Sequence, residues 1–394
     1  MNIDSIDLKT LRSWCELSRV ALSHNIKQIS GNLPASTGKM AVVKADAYGH
    51  GAIWVAEQAL AAGCTYLAVA TIEEAIILRQ AEITAPILIL SPYHAGLIEI
   101  LIKHKLTQTI SSEYDAAALL NDLETYLKTN NLTGLVDPIK IHIKIDTGMN
   151  RIGFQVKENI SSELVPSVIK LAENGNLDLE GIFTHFAVAD EPQKDFTQIQ
   201  FEHFCKAIDK LKTKNVIFKI KHCSNSVAAI FFPEVALDYI RIGIAMYGWC
   251  PNSEIKEKLQ LKPVMSFFSR ISGVHSVSVN ETVGYGQTYT AQRQTLIGTI
   301  ETGYADGLNR HLSNTGTVLI KGTSVPIIGR VCMDRTMLDL TSLPKTRIGD
   351  KVLIFGQDKH GHYRDLDDLA EQAGTISYEI LCGITRRIPK IFID

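Results

Sequence analysis

What the 394 residues lack narrows the field before any motif is read. No C-x-x-C pair occurs among Cys15, Cys64, Cys205, Cys223, Cys250, Cys332 and Cys382, and their odd number and wide spacing suit reduced thiols better than a disulfide framework or a zinc site. No apolar run is long enough to cross a bilayer: the longest, APILILSPYHAGLIEILI, is broken by Ser-Pro-Tyr-His. Blocks of like charge are missing too. With 40 basic against 42 acidic side chains and a net charge of −2, nothing electrostatic recommends a nucleic acid or an anionic membrane. The opening MNIDSIDLKTLRSW carries Asp4, Asp7 and Lys9 where a secretory signal needs an apolar stretch, so the chain reads as soluble and cytoplasmic. There is no G-x-G-x-x-G turn after a strand and no G-x-S-x-G elbow, and FEHF lacks a second histidine at the helical spacing a zinc site would use. Dinucleotide enzymes, serine hydrolases of the elbow type and zinc enzymes are set aside.

What is present is an alternation. RVALSHNIKQISGNL places Val20, Leu22, Ile26 and Ile29 near a helical period and stops at Gly31. Short apolar strands follow: AVVK ending at Lys44, YLAVA at 66–70, PILIL at 86–90, TQTI at 107–110, IKIHIKID at 139–146, GIFTHF at 181–186, IKHCSN at 220–225 and YIRIGIAMYG at 239–248. Eight strands with helical stretches between them, in about 230 residues, predict a (β/α)8 TIM-like barrel over 19–251. After WCPNSEI, which suits a linker, the text turns to β-rich runs between turn residues. It predicts a mostly antiparallel β domain over 252–394, joined by an N-terminal strand within 1–18.

In such a barrel the chemistry lies at the C-terminal ends of the strands. Lys44 closes the first, Asp146 the fifth with Arg151 just beyond, and His185 the sixth. Asn225 and Ser226 follow the seventh, and Arg241 and Gly243 sit at the eighth. Singly each has a plain explanation: a strand-end lysine reaching solvent, a core histidine, an ion pair, a helix cap. Together, a lysine with hydroxyl and glycine-flanked amide donors at one barrel mouth suits a carbonyl cofactor with a phosphate tail, and pyridoxal 5′-phosphate (PLP) is the natural candidate.

Nine ordered motifs, VVKADAYGHG, KIDTGMNRIGF, THFAVAD, HCSNS, RIGIAMYG, GYGQTY, GYADGL, GRVCMD and SYEILC, give the sequence a resemblance along nearly its whole length to the alanine racemase family of barrel-type PLP enzymes. The resemblance implies interconversion of L- and D-alanine by a two-base mechanism, supplying D-alanine for peptidoglycan. By it, Lys44 carries the cofactor covalently and is one base, and Tyr304 is the other. Tyr48, Ser226, Tyr378 and the amides of Gly243 and Ile244 hold the phosphate. Arg241 faces the pyridine nitrogen, supported by His185, while Arg151 and the Met333 amide meet the substrate carboxylate. No metal is implied.

Arginine does not surrender its proton, so the ring nitrogen stays unprotonated and side reactions such as transamination are held down. Tyr304 and Met333 are expected from the second subunit of a two-fold homodimer. Lys144, two residues before Asp146 on the same strand, is expected either to pair with that aspartate or to be carbamylated opposite Arg151. The sequence departs from the family pattern at Asp46, Val188 and Arg335.

Three rivals remain at this stage. A broad-specificity racemase is opposed by the bulk of Tyr378. A PLP-carrier protein would lack the β domain, and a PLP-dependent decarboxylase would carry a specificity motif at a C-terminal cysteine that is not evident here.

Overall fold

The structure, a computed structural model, describes residues 10–191, 195–250 and 258–394. Of the stretch expected as a linker, residues 251–257 lie outside these. The chain forms two compact units, one of Ile26–Ala47 and Gly51–Met246, the other of the described residues up to Asn25 with Tyr48–His50 and Tyr247–Asp394.

The first unit is a near-closed barrel of eight parallel strands. In spatial order they are Tyr239–Ile242, Gly38–Val42, Tyr66–Val69, Ile87–Ile89, Thr107–Ile110, Ile139–Asp146, Leu177–Phe183 and Ile220–His222. A parallel bridge between Asn225 and Arg241 joins the ends of the ring. Strands covered on both faces read as unbroken apolar runs, and Tyr66–Val69 and Ile87–Ile89 are buried throughout. The helices between them are started by side-chain caps. Thr71 and Glu74 make a reciprocal capping box at Ile72–Gln80, and Ser112 accepts the Asp115 N–H at the head of Glu113–Thr129.

Branched aliphatic residues usually fill such a barrel. Here part of the interior is polar. Tyr66, Thr107, His142, Glu180, His222 and Arg241, all buried and each on a different strand, are joined by hydrogen bonds.

The helix expected near residue 20 spans Arg19–Ser30 and buries Leu22, Ile26 and Ile29. Val20 does not join that stripe and is 54% exposed, because it lies two positions before Leu22 and points to another side.

The second unit is a nine-stranded, mostly antiparallel sheet. Its long strand Met265–Val277 pairs with Ser13–Ser18, Thr295–Ile300 and Lys351–Gln357. Ser13–Ser18 also runs parallel to Lys390–Ile393. Trp14 stacks on Phe268 with ring centroids 5.4 Å apart, the Arg270 and Lys351 cations lie over the Trp14 ring, and Lys351 also lies over Phe268.

Candidate active site

The first barrel strand ends at Val42, and the Val43 amide still donates to Ala68 O at 2.9 Å. Lys44 lies just beyond, where the backbone enters a left-handed turn: Ala45, Asp46, Ala47 and Tyr48 have φ of 53, 52, 55 and 53°. Each non-glycine residue there costs about 1–2 kcal/mol, so the turn must be held from outside. Glu74 holds it. Its Oε1 accepts the Ala45 N–H at 2.6 Å and its Oε2 the Ala70 N–H at 2.7 Å. Asp46 accepts the Ala52 N–H on Oδ1 at 2.8 Å, at the start of the helix Ala52–Ala61. An aspartate tolerates the left-handed region and suits a helix N-terminus, which gives this departure from the family pattern a structural role.

At the fifth strand end Asp146 folds the loop after it. Oδ1 accepts the amides of Gly148 and Asn150, and Oδ2 accepts that of Arg151 at 2.8 Å, leaving the Arg151 side chain exposed. The expected Lys144–Asp146 pair does not form. Both carboxylate oxygens serve the backbone, while Lys144 donates to Ile145 O at 3.1 Å and lies over the Phe183 ring. Burial, and next the charge of Arg241, push the Lys144 amine well below the usual lysine range.

His185 follows the sixth strand, its loop tied down by Gln200, which accepts from the Ala187 amide and donates to His185 O. Burial lowers the His185 pKa far below the ordinary histidine value, and Arg241, Lys144, Arg151 and Lys44 add to the effect. Burial and the neighbouring positive charge therefore favour the neutral imidazole. Arg241 donates to His185 Nδ1 at 3.2 Å, to His222 Nδ1 at 2.8 Å, and to the carbonyls of Thr184, Cys223 and His222. Burial pulls this guanidinium down to about 10, still cationic at neutral pH.

After the seventh strand the helix cap is Asn225, whose Oδ1 accepts the Val227 and Ala228 amides. Ser226 is not the cap. Its Oγ accepts the Gly243 N–H at 2.9 Å and keeps its own proton to donate. These donors carry no carboxylate, so their chemistry fits a phosphate.

In the other unit Tyr48 lies near Tyr378, ring centroids 5.9 Å apart, and nearer Tyr247, at 5.0 Å. Burial raises the Tyr48 pKa, so it stays a protonated donor. Gly49, at φ 77°, admits no side chain, since a Cβ would stand 2.2 Å from Leu381 O. Tyr304 and Met333 share one loop pair: the Tyr304 amide donates to Cys332 O and the Ala305 amide to Met333 O, each at 3.0 Å. Their side chains are 42% and 52% exposed, so both are available to a ligand. Met333 and Arg335 also line an open cavity of about 900 Å3 with Tyr285, Glu301 and Met337.

Sequence reasoning missed Glu74, His222 and Gln200, which act by holding the residues it found, and Asp306, which accepts the Gly303 amide beside Tyr304. His222 was within reach, since HCSNS had already been singled out.

A cation-rich set of strand-end residues on a parallel barrel, in one chain with a β unit presenting an exposed tyrosine, defines a two-domain barrel enzyme of the kind that handles anionic ligands. Residues 17–251 match the alanine racemase N-terminal domain and residues 264–392 the alanine racemase C-terminal domain. The chain is 40% identical to an alanine racemase of Halothermothrix orenii, covering 97% of each, and 39% identical to alanine racemase 2 of Oceanobacillus iheyensis, covering 97% of this chain and 93% of that one. Among solved structures, the alanine racemase of Clostridium difficile superposes with a TM-score of 0.88 at 36% identity over 98% of this chain and 96% of its own. That of Enterococcus faecalis gives 0.87 at 34% over 97% and 98%. The chain belongs to the alanine racemase family, whose members depend on PLP.

Proposed function

We propose that this protein interconverts L- and D-alanine with PLP attached to Lys44, supplying D-alanine for peptidoglycan. The observation that carries the reading is the buried Arg241 guanidinium at a strand end of the barrel, donating to His185 Nδ1 at 3.2 Å and to His222 Nδ1 at 2.8 Å, in the same ring of strands that ends at Lys44. PLP, when bound, supplies the electron sink that makes the substrate's α-hydrogen removable.

The rest falls to this chain's residues. Lys44 Nζ would move the proton on one face of the substrate Cα, and Tyr304 Oη would move it on the other. Ser226, Ile244, Tyr48 and Tyr378 bind the phosphate by donating hydrogen bonds, and the Gly243 amide, otherwise given to Ser226 Oγ, turns to the phosphate when it is bound. Arg241 holds its proton against the pyridine nitrogen. Arg151 and the Met333 amide orient the carboxylate, and Tyr378 limits the substrate side chain to a methyl. Lys144, buried and short of a proton, is suited to take up CO2, releasing H+ and leaving a carbamate that faces Arg151. The barrel domain is taken as 19–251 and the β domain as 252–394 with 1–18. Tyr304 and Met333 are supplied by the partner in a homodimer acting in the cytoplasm.

The purified protein should be yellow, and borohydride should fix the cofactor on Lys44. A colourless protein with no adduct overturns the cofactor assignment. Tyr304→Phe should abolish α-proton exchange from L-alanine far more than from D-alanine, and equal losses would remove the two-base assignment. Mixing Lys44→Ala with Tyr304→Phe should restore activity, because each mixed dimer has one intact site. No recovery refutes the shared site. A panel of alanine, serine, lysine and arginine should place alanine first.

A further inference from the structure

The Arg241 guanidinium is a buried cation whose hydrogen bonds go to imidazoles and carbonyls and to no carboxylate. Its bond to His222 Nδ1 is the first link of a chain through the barrel interior. The second ring nitrogen of His222, Nε2, lies 2.9 Å from His142 Nδ1, and His142 Nε2 lies 3.2 Å from Glu180 Oε2. Glu180 also accepts from the Tyr66 hydroxyl at 2.9 Å and pairs with Lys140, whose side chain is 45% exposed.

Donor and acceptor roles can be assigned along this chain in one way only. Arginine has no acceptor, so His222 Nδ1 must offer a lone pair. His222 Nε2 then carries the hydrogen and donates to His142 Nδ1, and His142 Nε2–H donates to the carboxylate. Both rings are fully buried, and burial lowers both pKa values, which keeps them neutral.

Two features of the backbone make room for the chain. The register between Ile139–Asp146 and Leu177–Phe183 slips between Ile141↔Leu179 and His142↔Gly181, so that Glu180 is the extra residue of a bulge. Bulges re-aim a side chain, and this one is rare in parallel pairing. Gly181 clears the space beside it, since a Cβ there would stand 2.5 Å from the His142 ring.

We propose that Glu180 is a positioning residue for the reaction: through His142 it fixes the tautomer of His222 and so keeps a hydrogen-bond acceptor on Arg241. The functional consequence rests on reading Arg241 as the partner of the PLP ring nitrogen. The relay itself does not.

The design predicts an unusual rescue. In Glu180→Gln the single amide oxygen should turn to the Lys140 cation, the stronger partner, and present NH2 to His142. His142 must then flip to its Nδ1–H form and His222 with it, which sets N–H against N–H at Arg241. Lys140→Met in the same chain frees the amide oxygen to face His142 again and should restore the original tautomers.

The test is nitrogen-15 NMR of histidine-labelled holoenzyme, with turnover measured alongside. In the unaltered protein His142 and His222 should both be neutral Nε2–H rings from pH 6 to 9. An Nδ1–H ring or an imidazolium at either position overturns the proposal without any variant being made. Glu180→Gln should flip both rings and lower turnover about tenfold, the order expected for one charge-assisted hydrogen bond. Lys140→Met with Glu180→Gln should return both. Unchanged tautomers in the single variant, or no rescue in the double, also overturn it. A protein that bound no PLP would leave these spectra readable, so failure of the cofactor reading is told apart from failure of the relay.

Discussion

Asp306 holds Arg12 from both carboxylate oxygens, Oδ1 to Nη2 at 2.6 Å and Oδ2 to Nη1 at 3.0 Å. The same Oδ2 accepts the Gly303 amide at 3.1 Å, one residue before Tyr304. A fully buried carboxylate therefore ties the N-terminal segment to the loop that presents the proposed second base. Asp306→Ala should lower stability by about 2 kcal/mol, less than a wholly buried pair because Arg12 is partly exposed. It should also cut turnover, whereas Asp306→Asn keeps an acceptor for Gly303 and should lose less. Urea unfolding and steady-state rates on both variants check this. Full activity in Asp306→Ala would mean that Tyr304 is positioned without it.

Acid should destabilise the fold in two stages. Burial lowers the pKa of His142, His185 and His222, so below the ordinary histidine value of about 6.5 the unfolded chain takes up protons that the folded chain refuses. Stability thus falls as pH falls through that value, at up to about 1.4 kcal/mol per pH unit for each ring. Glu180 behaves as a depressed carboxylate. Burial works against its charge, but hydrogen bonds from His142, Lys140 and Tyr66 prevail and bring it to about 2. Its contribution is complete above the ordinary glutamate value and is lost as pH drops toward 2. A urea midpoint that stays flat from pH 7 to pH 5 would contradict the first stage.

Glu74 is expected to matter to the attachment of the cofactor, although it is not one of the proposed bases. It stitches the left-handed turn after Lys44 to the end of the second strand through the Ala45 and Ala70 amides. Glu74→Ala should leave the exposed Ala45 amide to water and the half-buried Ala70 amide short of a partner, cost about 1 kcal/mol, and let the Lys44 backbone relax. The fraction of lysine trapped by borohydride at limiting PLP should fall, and Glu74→Gln, which can still accept one amide, should recover part of it. Equal trapping in all three proteins would show that the turn holds itself.

The outline of the fold was legible because barrel strands are short, apolar and regularly spaced, and the strand-end residues stood out once the strands were counted. Lys44 and Arg241 are unusual where they sit. Glu74, Glu180 and Asp306 gave no such sign, since an acidic residue in an ordinary-looking segment acquires meaning only from the amides and rings that fold against it. Spacing also misled in one place. Lys144 and Asp146 share a strand face, as alternation requires, but the loop after the strand claims the carboxylate. Of the adjacent polar residues in HCSNS, Asn225 accepts two amides at the head of the next helix and Ser226 accepts the Gly243 amide, a division set by backbone direction that residue type does not encode.

Gly303 gives the most direct test of how tightly the Tyr304 and Met333 loops are set. A Cβ at this position would stand 2.2 Å from Cys332 O and 2.3 Å from Met333 O, both rigid backbone atoms. Neither can yield as a flexible side chain would, so Gly303→Ala must push the two loops apart and carry Tyr304 away from Met333. A shift of about 1 Å in a reacting group costs on the order of 100-fold in rate, and the loss should fall on turnover with little change in cofactor content. Gly175→Ala, at a glycine with open space around it and no left-handed backbone, controls for the general effect of losing a glycine. Parallel measurement of kcat, bound PLP and thermal stability decides the matter. If Gly303→Ala loses stability but keeps its turnover, the contact between the loops serves folding alone.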